Sequence, residues 1–285
     1  MKSIIWFKND LRIDDNPAMI SACDNADEVH AIFLYSQDQL EDHNEANVKL
    51  DFLIDNLKCL SESLEELNIP LSIIDSKGFD EDSEIILKIT KERDVDKVFF
   101  NKQFGEDEQK RDIKVTTMLR ASNVEVESFN DQIVYEAGSI RTGQDNPYSV
   151  FTPFKKKWVE NFDMEFLDIE HKYTPMAKGN ISSNISSFNF DFKTKHKVDM
   201  SLWPAGEDAA LDRLKNFLEN KASNYSKDRN DPIIDGTSRM SPYLALGVIS
   251  SKRCILEGLK LNNFEFNSGN NGITKWIDEI VWREF

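Results

Sequence analysis

Two stretches near the C-terminus combine residue types that could do chemistry. The first, "GTSRMSP" at residues 236–242, supplies three hydroxyls, a guanidinium and backbone N–H groups. Hydroxyl donors just before a helix start can bind an anion such as a phosphate. Ser241 followed by Pro242 is typical of a helix cap and the first helical position. An ordinary capped turn explains the same residues, so both interpretations stay open.

The second stretch is "WIDEIVWREF", residues 276–285. At helical spacing one face contains Trp276, either Glu279 or Ile280, and either Trp282 or Arg283. One interpretation is an amphipathic helix whose aromatic residues belong to the core. The other is the wall of a pocket that stacks flat rings and presents one carboxylate.

The charge of the chain is unevenly distributed. The net charge is −16 at pH 7, which at first argues against a nucleic-acid ligand. Residues 206–285, however, carry 12 acidic and 11 basic residues, so nearly all of the negative charge lies before them. A polyanion would therefore bind the C-terminal part.

The sequence indicates a cytoplasmic protein that contains no structural metal. Three cysteines, Cys23, Cys59 and Cys254, are too far apart to suggest a disulfide framework or a metal site. No apolar run is long enough to span a membrane or to serve as a secretory signal. We expect no membrane association and no bound metal.

Strand-like and helix-like segments alternate in the first 131 residues. Short, mostly apolar runs predict strands at 3–7, 29–36, 70–75, 96–101 and 124–129. Helices are predicted between them, near 16–25, 46–67, 81–93 and 107–121, the first with Asn16 as its cap and Pro17 after it. This alternation predicts an α/β fold with a doubly wound, parallel, five-stranded sheet.

The composition and periodicity of the sequence change after residue 131. Residues 132–205 are partly Ser/Asn-rich and aperiodic, which predicts a long linker containing a short ordered helix near 148–158. From 206 to 285 the pattern is helical, with Gly247 and Ser250 suggesting a turn and a cap. The predicted domains are thus 1–131, an interdomain linker at 132–205, and the start of an all-α domain at 206–285.

Four motifs in this order resemble the photolyase/cryptochrome family. They are "IIWFKNDLRIDDNPA", "FTPFKKKW", "TSRMSPYLALGVIS" and "WIDEIVWREF". The resemblance spans all 285 residues and is closest to class I cyclobutane pyrimidine dimer photolyases with a folate antenna. It implies an α/β antenna domain followed by the N-terminal part of a helical FAD-binding domain.

The resemblance also implies site residues in the C-terminal part. Residues matching the family's FAD-binding stretch are Tyr225, Thr237, Ser238, Arg239, Met240 and Ser241, with Trp276 against the flavin. Glu279 matches the carboxylate that hydrogen-bonds the damaged bases, and Trp282 matches the ring on which the flipped dimer stacks. Arg229 and Arg283 match DNA contacts near the lesion.

The antenna site implied by the resemblance lies in the first domain. His43, Asp107 and Glu108 fall at positions that contact methenyltetrahydrofolate in folate-type members, where Asn is usual in place of Asp107. Taken alone, His43 is typical of a solvated loop. The two acids also suit a helix start, where they complement the dipole.

The activity implied is light-driven DNA repair by a deoxyribodipyrimidine photolyase, a carbon–carbon lyase. Reduced FAD donates an electron to a flipped cyclobutane dimer, with energy collected by the antenna. Family members continue beyond residue 285, so we expect this chain to be an inactive truncated form of a protein that is monomeric at full length. Two alternatives remain: a cryptochrome-type blue-light photoreceptor, or a fragment that retains only antenna or nucleotide binding.

Overall fold

The structure, a computed structural model, describes residues 1–36, 38, 40, 45–186 and 199–285. The described chain forms two compact units. The first contains residues 1–131 and 171–206, and the second contains residues 132–170 and 207–285. The stretch predicted as a linker is therefore shared between the units. The domain bounds drawn from the sequence stay a prediction.

The first unit contains one parallel five-stranded sheet. Its strands are β1 (Lys2–Phe7), β2 (Glu28–Tyr35), β3 (Leu71–Asp75), β4 (Lys97–Asn101) and β5 (Glu125–Phe129). They lie in the order β3-β2-β1-β4-β5, and every neighbouring pair is parallel. The chain moves outward from β1 on one side and then crosses over to β4. The predicted doubly wound α/β fold is confirmed.

Burial of both faces explains why the strands are continuous apolar runs. Five of the six residues of β1 are buried, and Ile4, Ile5 and Phe7 have no exposed surface. Each such side chain contributes roughly 1.5–3 kcal/mol when it is fully removed from water. A parallel sheet covered on both faces requires this pattern, whereas one water-facing side would produce alternation.

The helices between the strands are α1 (Pro17–Asn25), α2 (Asn47–Glu66), α3 (Phe79–Arg93) and α4 (Glu106–Ala121). The predicted start of α1 is confirmed, because the Asn16 side chain accepts a hydrogen bond from the Met19 N–H at 3.1 Å and Pro17 follows it. Helices α3 and α4 add Ile86, Ile89 and Val115, among others, to a core cluster that includes Trp6.

The second unit is built from helices in its described residues. They are α5 (Phe151–Glu160), α6 (Glu207–Asn220), α7 (Tyr225–Asp228), α8 (Ser241–Ala245), α9 (Ser251–Leu261) and α10 (Asn271–Val281), followed by a 3-10 turn, Trp282–Glu284. The short helix predicted near 148–158 is confirmed as α5. The predicted cap is confirmed at Ser250, whose hydroxyl accepts from the Arg253 N–H at 2.8 Å, and Gly247 has φ +64°.

Helix α10 packs against several other elements of the second unit. It contacts α7 and α9, and it buries Ile273, Trp276 and Ile277 among other residues. Its N-terminus is capped by Asn270, whose side chain accepts from the N–H groups of Gly272 and Ile273. The helix is thus fixed along one face and at its start, which positions the residues of its last turn.

No helix in the described part of the chain is long and apolar enough to cross a membrane.

Candidate functional site

The last two turns of the chain combine a buried and an exposed aromatic residue. Trp276 is 2% exposed and packs against Phe217 at 5.2 Å between ring centroids. Trp282, one and a half turns later, is 43% exposed. The interpretation as an amphipathic helix with core aromatic residues is confirmed for Trp276. The interpretation as the wall of a ring-stacking pocket stays a prediction.

Glu279 lies between these tryptophans and forms an ion pair with Arg229. The two side chains are 33% and 29% exposed, so the pair remains in contact with water. The hydrogen bond to Glu279 raises the pKa of Arg229. The Arg229 guanidinium also lies 5.5 Å from the ring centroid of Tyr225. The structure thus brings three of the predicted site residues together.

Trp282 has one ring face against another aromatic residue. Its indole stacks on Phe151, the first residue of α5, with ring centroids 3.9 Å apart and planes inclined by 10°. Nothing in the spacing of either motif predicted this contact, because the two residues are far apart in sequence. The only hint was the aromatic content of "FTPFKKKW".

Arg283 and Glu284 make different hydrogen bonds, Arg283 as a donor and Glu284 as an acceptor. The Arg283 guanidinium donates a hydrogen bond to the Leu244 carbonyl at 3.3 Å, and burial lowers its pKa. The Glu284 carboxylate accepts from the Val134 N–H at 2.7 Å and from Trp158 Nε1 at 2.8 Å. Burial raises the pKa of Glu284. The sequence analysis missed this residue, which ties the end of the chain to α5.

The segment 225–241 begins with α7 and folds back against the end of that helix at Gly236. Tyr225 is buried at the start of α7, with its ring edge-on to Phe217 at 5.8 Å. A Cβ at Gly236 would come within 2.4 Å of the Asp228 Cβ, so a larger residue does not fit there. The glycine therefore lets the backbone run close to α7 before it turns toward Thr237.

The polar residues of this segment lie at the surface. Thr237 and Ser241 are exposed, Ser238 is half-buried, and Met240 is buried beneath them. Arg239 has φ +53°, a left-handed conformation that is uncommon for a non-glycine residue. Its guanidinium pairs with Asp235 at 2.8 Å.

The expected cap at Ser241 was wrong by one residue. Helix α8 already includes Ser241, and the N-cap position is Met240, which has near-helical backbone angles and makes no side-chain capping bond. The physical reason is the left-handed backbone at Arg239, two residues before Ser241, after which Met240 already has near-helical angles. The Ser241 hydroxyl is consequently not used as the cap.

The residues predicted to contact the antenna cofactor are His43, Asp107 and Glu108. His43 lies outside the described residues. Asp107 and Glu108 lie in the first turn of α4, as the alternative interpretation required. The Glu108 carboxylate folds back over Gly105, where a Cβ would come within 1.9 Å of Oε2, and Asp107 lies 3.6 Å from Lys110. Their role toward a folate stays a prediction.

The carboxyl ends of β1 and β4 carry a buried polar network that the sequence analysis did not identify. Lys8 Nζ lies 2.7 Å from Asp112, and burial lowers the pKa of Lys8 to about 8. Asp10 accepts from the Lys8 N–H at 2.6 Å and from Asn101 at 2.7 Å. Burial raises the pKa of Asp10 to about 6, and Asp131 adds to the rise.

This network lies where the strand order reverses, the usual ligand-binding edge of an open α/β sheet. The alternating charges of "KNDLR" directly after β1 were the signal that could have revealed it. Among the described residues, no group of three or more His, Cys, Asp or Glu side chains is arranged to hold a metal ion.

Comparison with known proteins adds independent findings. A family model described as DNA photolyase matches residues 3–176. The deoxyribodipyrimidine photo-lyase of Buchnera aphidicola subsp. Acyrthosiphon pisum is 32% identical over 286 residues, covering 100% of this chain and 58% of that protein. The chain thus spans less than two thirds of the length of this relative.

Solved structures show the same fold. A bacterial class III photolyase from Agrobacterium tumefaciens matches with a TM-score of 0.83 and 26% identity, covering 100% of this chain and 57% of that one. A cryptochrome from Synechocystis sp. PCC6803 matches with a TM-score of 0.80 and 19% identity, covering 100% and 60%. The second likeness concerns the fold alone.

Proposed function

Since the chain belongs to the DNA photolyase family, we propose that its function is light-dependent DNA repair, in which cyclobutane pyrimidine dimers are split by electron transfer from excited reduced FAD. This is the carbon–carbon lyase reaction of a deoxyribodipyrimidine photolyase, the name carried by the Buchnera relative. The partner is DNA that contains a pyrimidine dimer, and the compartment is the cytoplasm.

One observation supports this function above the others. Glu279 lies in the last turn of α10, and Trp282 follows three residues later in the 3-10 turn, so a hydrogen-bond acceptor and a partly exposed aromatic ring lie close along the chain. A flipped base is recognised by these two means, hydrogen bonds to its polar edge and stacking on its face. Arg229, paired with Glu279, adds a cation for the adjacent phosphate.

The residues of the 225–241 segment fit a flavin nucleotide. Thr237, Ser238 and Ser241 expose hydroxyl donors, and the backbone runs close to α7 at Gly236. Such donors suit a diphosphate, with Arg239 as the cation, while the buried Trp276 would lie on the flavin side. Bound reduced FAD supplies the electron; the protein orients the two partners and sets the electrostatic environment.

An antenna chromophore, methenyltetrahydrofolate, is the second proposed cofactor. Asp107 and Glu108, at the exposed start of α4, and His43, outside the described residues, are its proposed contacts. Arg283 is proposed as a further DNA contact, although its guanidinium also donates to the Leu244 carbonyl.

A blue-light photoreceptor is the alternative function. The shared fold with the Synechocystis cryptochrome does not separate the two functions, since one fold serves both. The pairing of Glu279 with a stacking ring at Trp282 favours repair, because a photoreceptor needs no such contacts to damaged bases.

The test is a comparison of DNA affinities for the 285-residue chain. A labelled duplex with one thymine cyclobutane dimer and the identical undamaged duplex are titrated at one salt concentration. We expect tighter binding to the dimer, and a loss of about 5- to 150-fold in that preference for Trp282→Ala, since base stacking contributes about 1–3 kcal/mol. Glu279→Gln should reduce it as well.

Glu219→Gln is the matched control, because it removes an exposed carboxylate from α6. It should leave the preference unchanged. Equal affinity of the unmodified chain for both duplexes would contradict the proposed function.

A further inference from the structure

The contact between Phe151 and Trp282 is closer and flatter than an ordinary aromatic contact in this chain. The rings are 3.9 Å apart and inclined by 10°, whereas the other stacked pair, Trp158 with Phe162, lies at 5.0 Å and 25° among the described residues. Most aromatic pairs in proteins are offset or edge-to-face, with centroids 4.5–7 Å apart. Phe151 therefore lies flat against one face of the Trp282 indole.

Two further phenylalanines hold this pair in place. Phe285 lies edge-on to Trp282, at 5.4 Å and 84°, and edge-on to Phe151, at 5.9 Å and 76°. Phe285 also contacts Phe154 at 5.3 Å, and Phe154 is 5% exposed. Phe151, Phe154, Trp282 and Phe285 form what we call the aromatic bracket. Its buried member anchors the group to the core of the second unit.

Trp282 needs such support because it does not belong to a regular helix. Helix α10 ends at Val281, and Trp282 begins the 3-10 turn that follows. A side chain at such a position has several rotamers available, and fixing one of them on binding costs conformational entropy. A stacking ring that is already fixed in the free protein avoids that cost.

Both attachments of the turn come from one face of α5. Phe151 covers Trp282, and Trp158, seven residues later, donates Nε1–H to Glu284 at 2.8 Å. Residues at i and i+7 lie on the same side of a helix. Helix α5 thus supports the turn at two points, one apolar and one polar, and leaves 43% of Trp282 exposed.

We propose that Phe151 is a positioning residue for damaged-base recognition: it holds the Trp282 indole with one face covered and the other available to a flipped pyrimidine dimer. The inference rests on the proposed function, since it assigns Trp282 the stacking role. Phe151 does not itself touch the dimer, and its contribution is to fix the orientation of the ring that does.

The experiment compares Phe151→Ala, Phe151→Tyr and the unmodified chain for binding to the dimer-containing and undamaged duplexes. Phe151→Ala should weaken binding to the dimer duplex about threefold to tenfold and leave binding to undamaged DNA unchanged. Phe151→Tyr keeps the ring and should restore the preference. The tryptophan near-ultraviolet circular dichroism should fall in Phe151→Ala and recover in Phe151→Tyr.

Phe162→Ala is the matched control, because Phe162, like Phe151, stacks on a tryptophan, in this case Trp158. This variant shows whether the loss of any Phe–Trp stack weakens dimer binding merely by destabilising the fold. It should leave the dimer preference intact. If Phe151→Ala keeps the full preference, or binds the dimer more tightly, while the unmodified chain shows a preference, the inference is wrong and the proposed function stands. If the unmodified chain shows no preference, both fail.

Discussion

Arg229 and Glu279 form an ion pair in which the cation also lies over the ring of Tyr225. The carboxylate proposed to bind damaged bases is therefore already engaged in the free protein, by a cation proposed to bind DNA. We expect a phosphate bound to Arg229 to compete with Glu279 for the guanidinium, which would link phosphate binding to base recognition.

Arg229→Met should weaken binding to dimer-containing and undamaged DNA alike. Loss of one phosphate contact lowers the slope of log affinity against log salt by about one. The change in folding stability should stay below about 1 kcal/mol, because both partners are about one third exposed. Titrations at several salt concentrations measure the slope.

Lys227→Met removes the same charge from an exposed residue of α7, the short helix that ends just before Arg229. It should change the slope less than Arg229→Met does. Equal slopes for the two variants would show that Arg229 has no specific phosphate contact.

Gly236→Ala should disturb the proposed flavin site. The added Cβ would lie 2.4 Å from the Asp228 Cβ and 3.1 Å from the Asp228 carbonyl carbon, so the backbone must move away from α7. We expect a loss of about 1–3 kcal/mol in stability, typical of overpacking, and weaker FAD binding. Thermal unfolding and FAD titration measure the two effects.

Gly143→Ala provides the comparison, because a Cβ at Gly143 would have no heavy atom within 4 Å. It should be neutral or slightly stabilising. The same effect from both substitutions would mean that the close approach at Gly236 is unimportant.

Glu284→Ala should destabilise the second unit. It leaves the Val134 N–H and the Trp158 Nε1–H without their acceptor, and each buried donor left unpaired costs about 1–3 kcal/mol. Glu284→Gln keeps one acceptor oxygen and should cost less. Urea unfolding gives both values, with Glu160→Ala, an exposed residue of α5, as the control expected to lie within about 0.5 kcal/mol of the unmodified chain. A loss no larger than that of the control would contradict the role of Glu284.

Asp10 should make stability fall as pH rises. Its pKa is about 6 in the folded chain and 3.8 ordinarily, so between these values the folded state binds more protons than the unfolded state. The free energy of unfolding therefore decreases with pH in this window. Asp10→Asn removes that contribution, so the stability of the unmodified chain relative to this variant should fall by about 2 kcal/mol from pH 4 to pH 7.

Urea unfolding of both chains at several pH values measures this difference. A pH-independent difference between the unmodified chain and Asp10→Asn would show that Asp10 does not titrate in this window.

The local elements could be predicted because their signals are local. Buried apolar runs such as β1 and the Asn16–Pro17 pair contain the whole reason for their structure. The start of α8 was misplaced because it depends on the left-handed backbone conformation of Arg239. A Ser-Pro pair contains no signal for that conformation.

The support of the site could not be predicted because it depends on contacts between distant segments. Phe151 and Trp282 are joined only after α5 and α10 pack together, and Glu284 finds Trp158 and Val134 in the same way. The hydropathy of each segment says that it is buried, but not what it is buried against.

The proposed binding of the flavin to the 225–241 segment is tested most directly by FAD titration of the 285-residue chain. The complex is then denatured and the FAD released per chain is measured. We expect saturable binding of one FAD per chain, weakened by Gly236→Ala and unaffected by Gly143→Ala. No saturable binding, or binding that Gly236→Ala leaves unchanged, would contradict the placement of the flavin in the 225–241 segment.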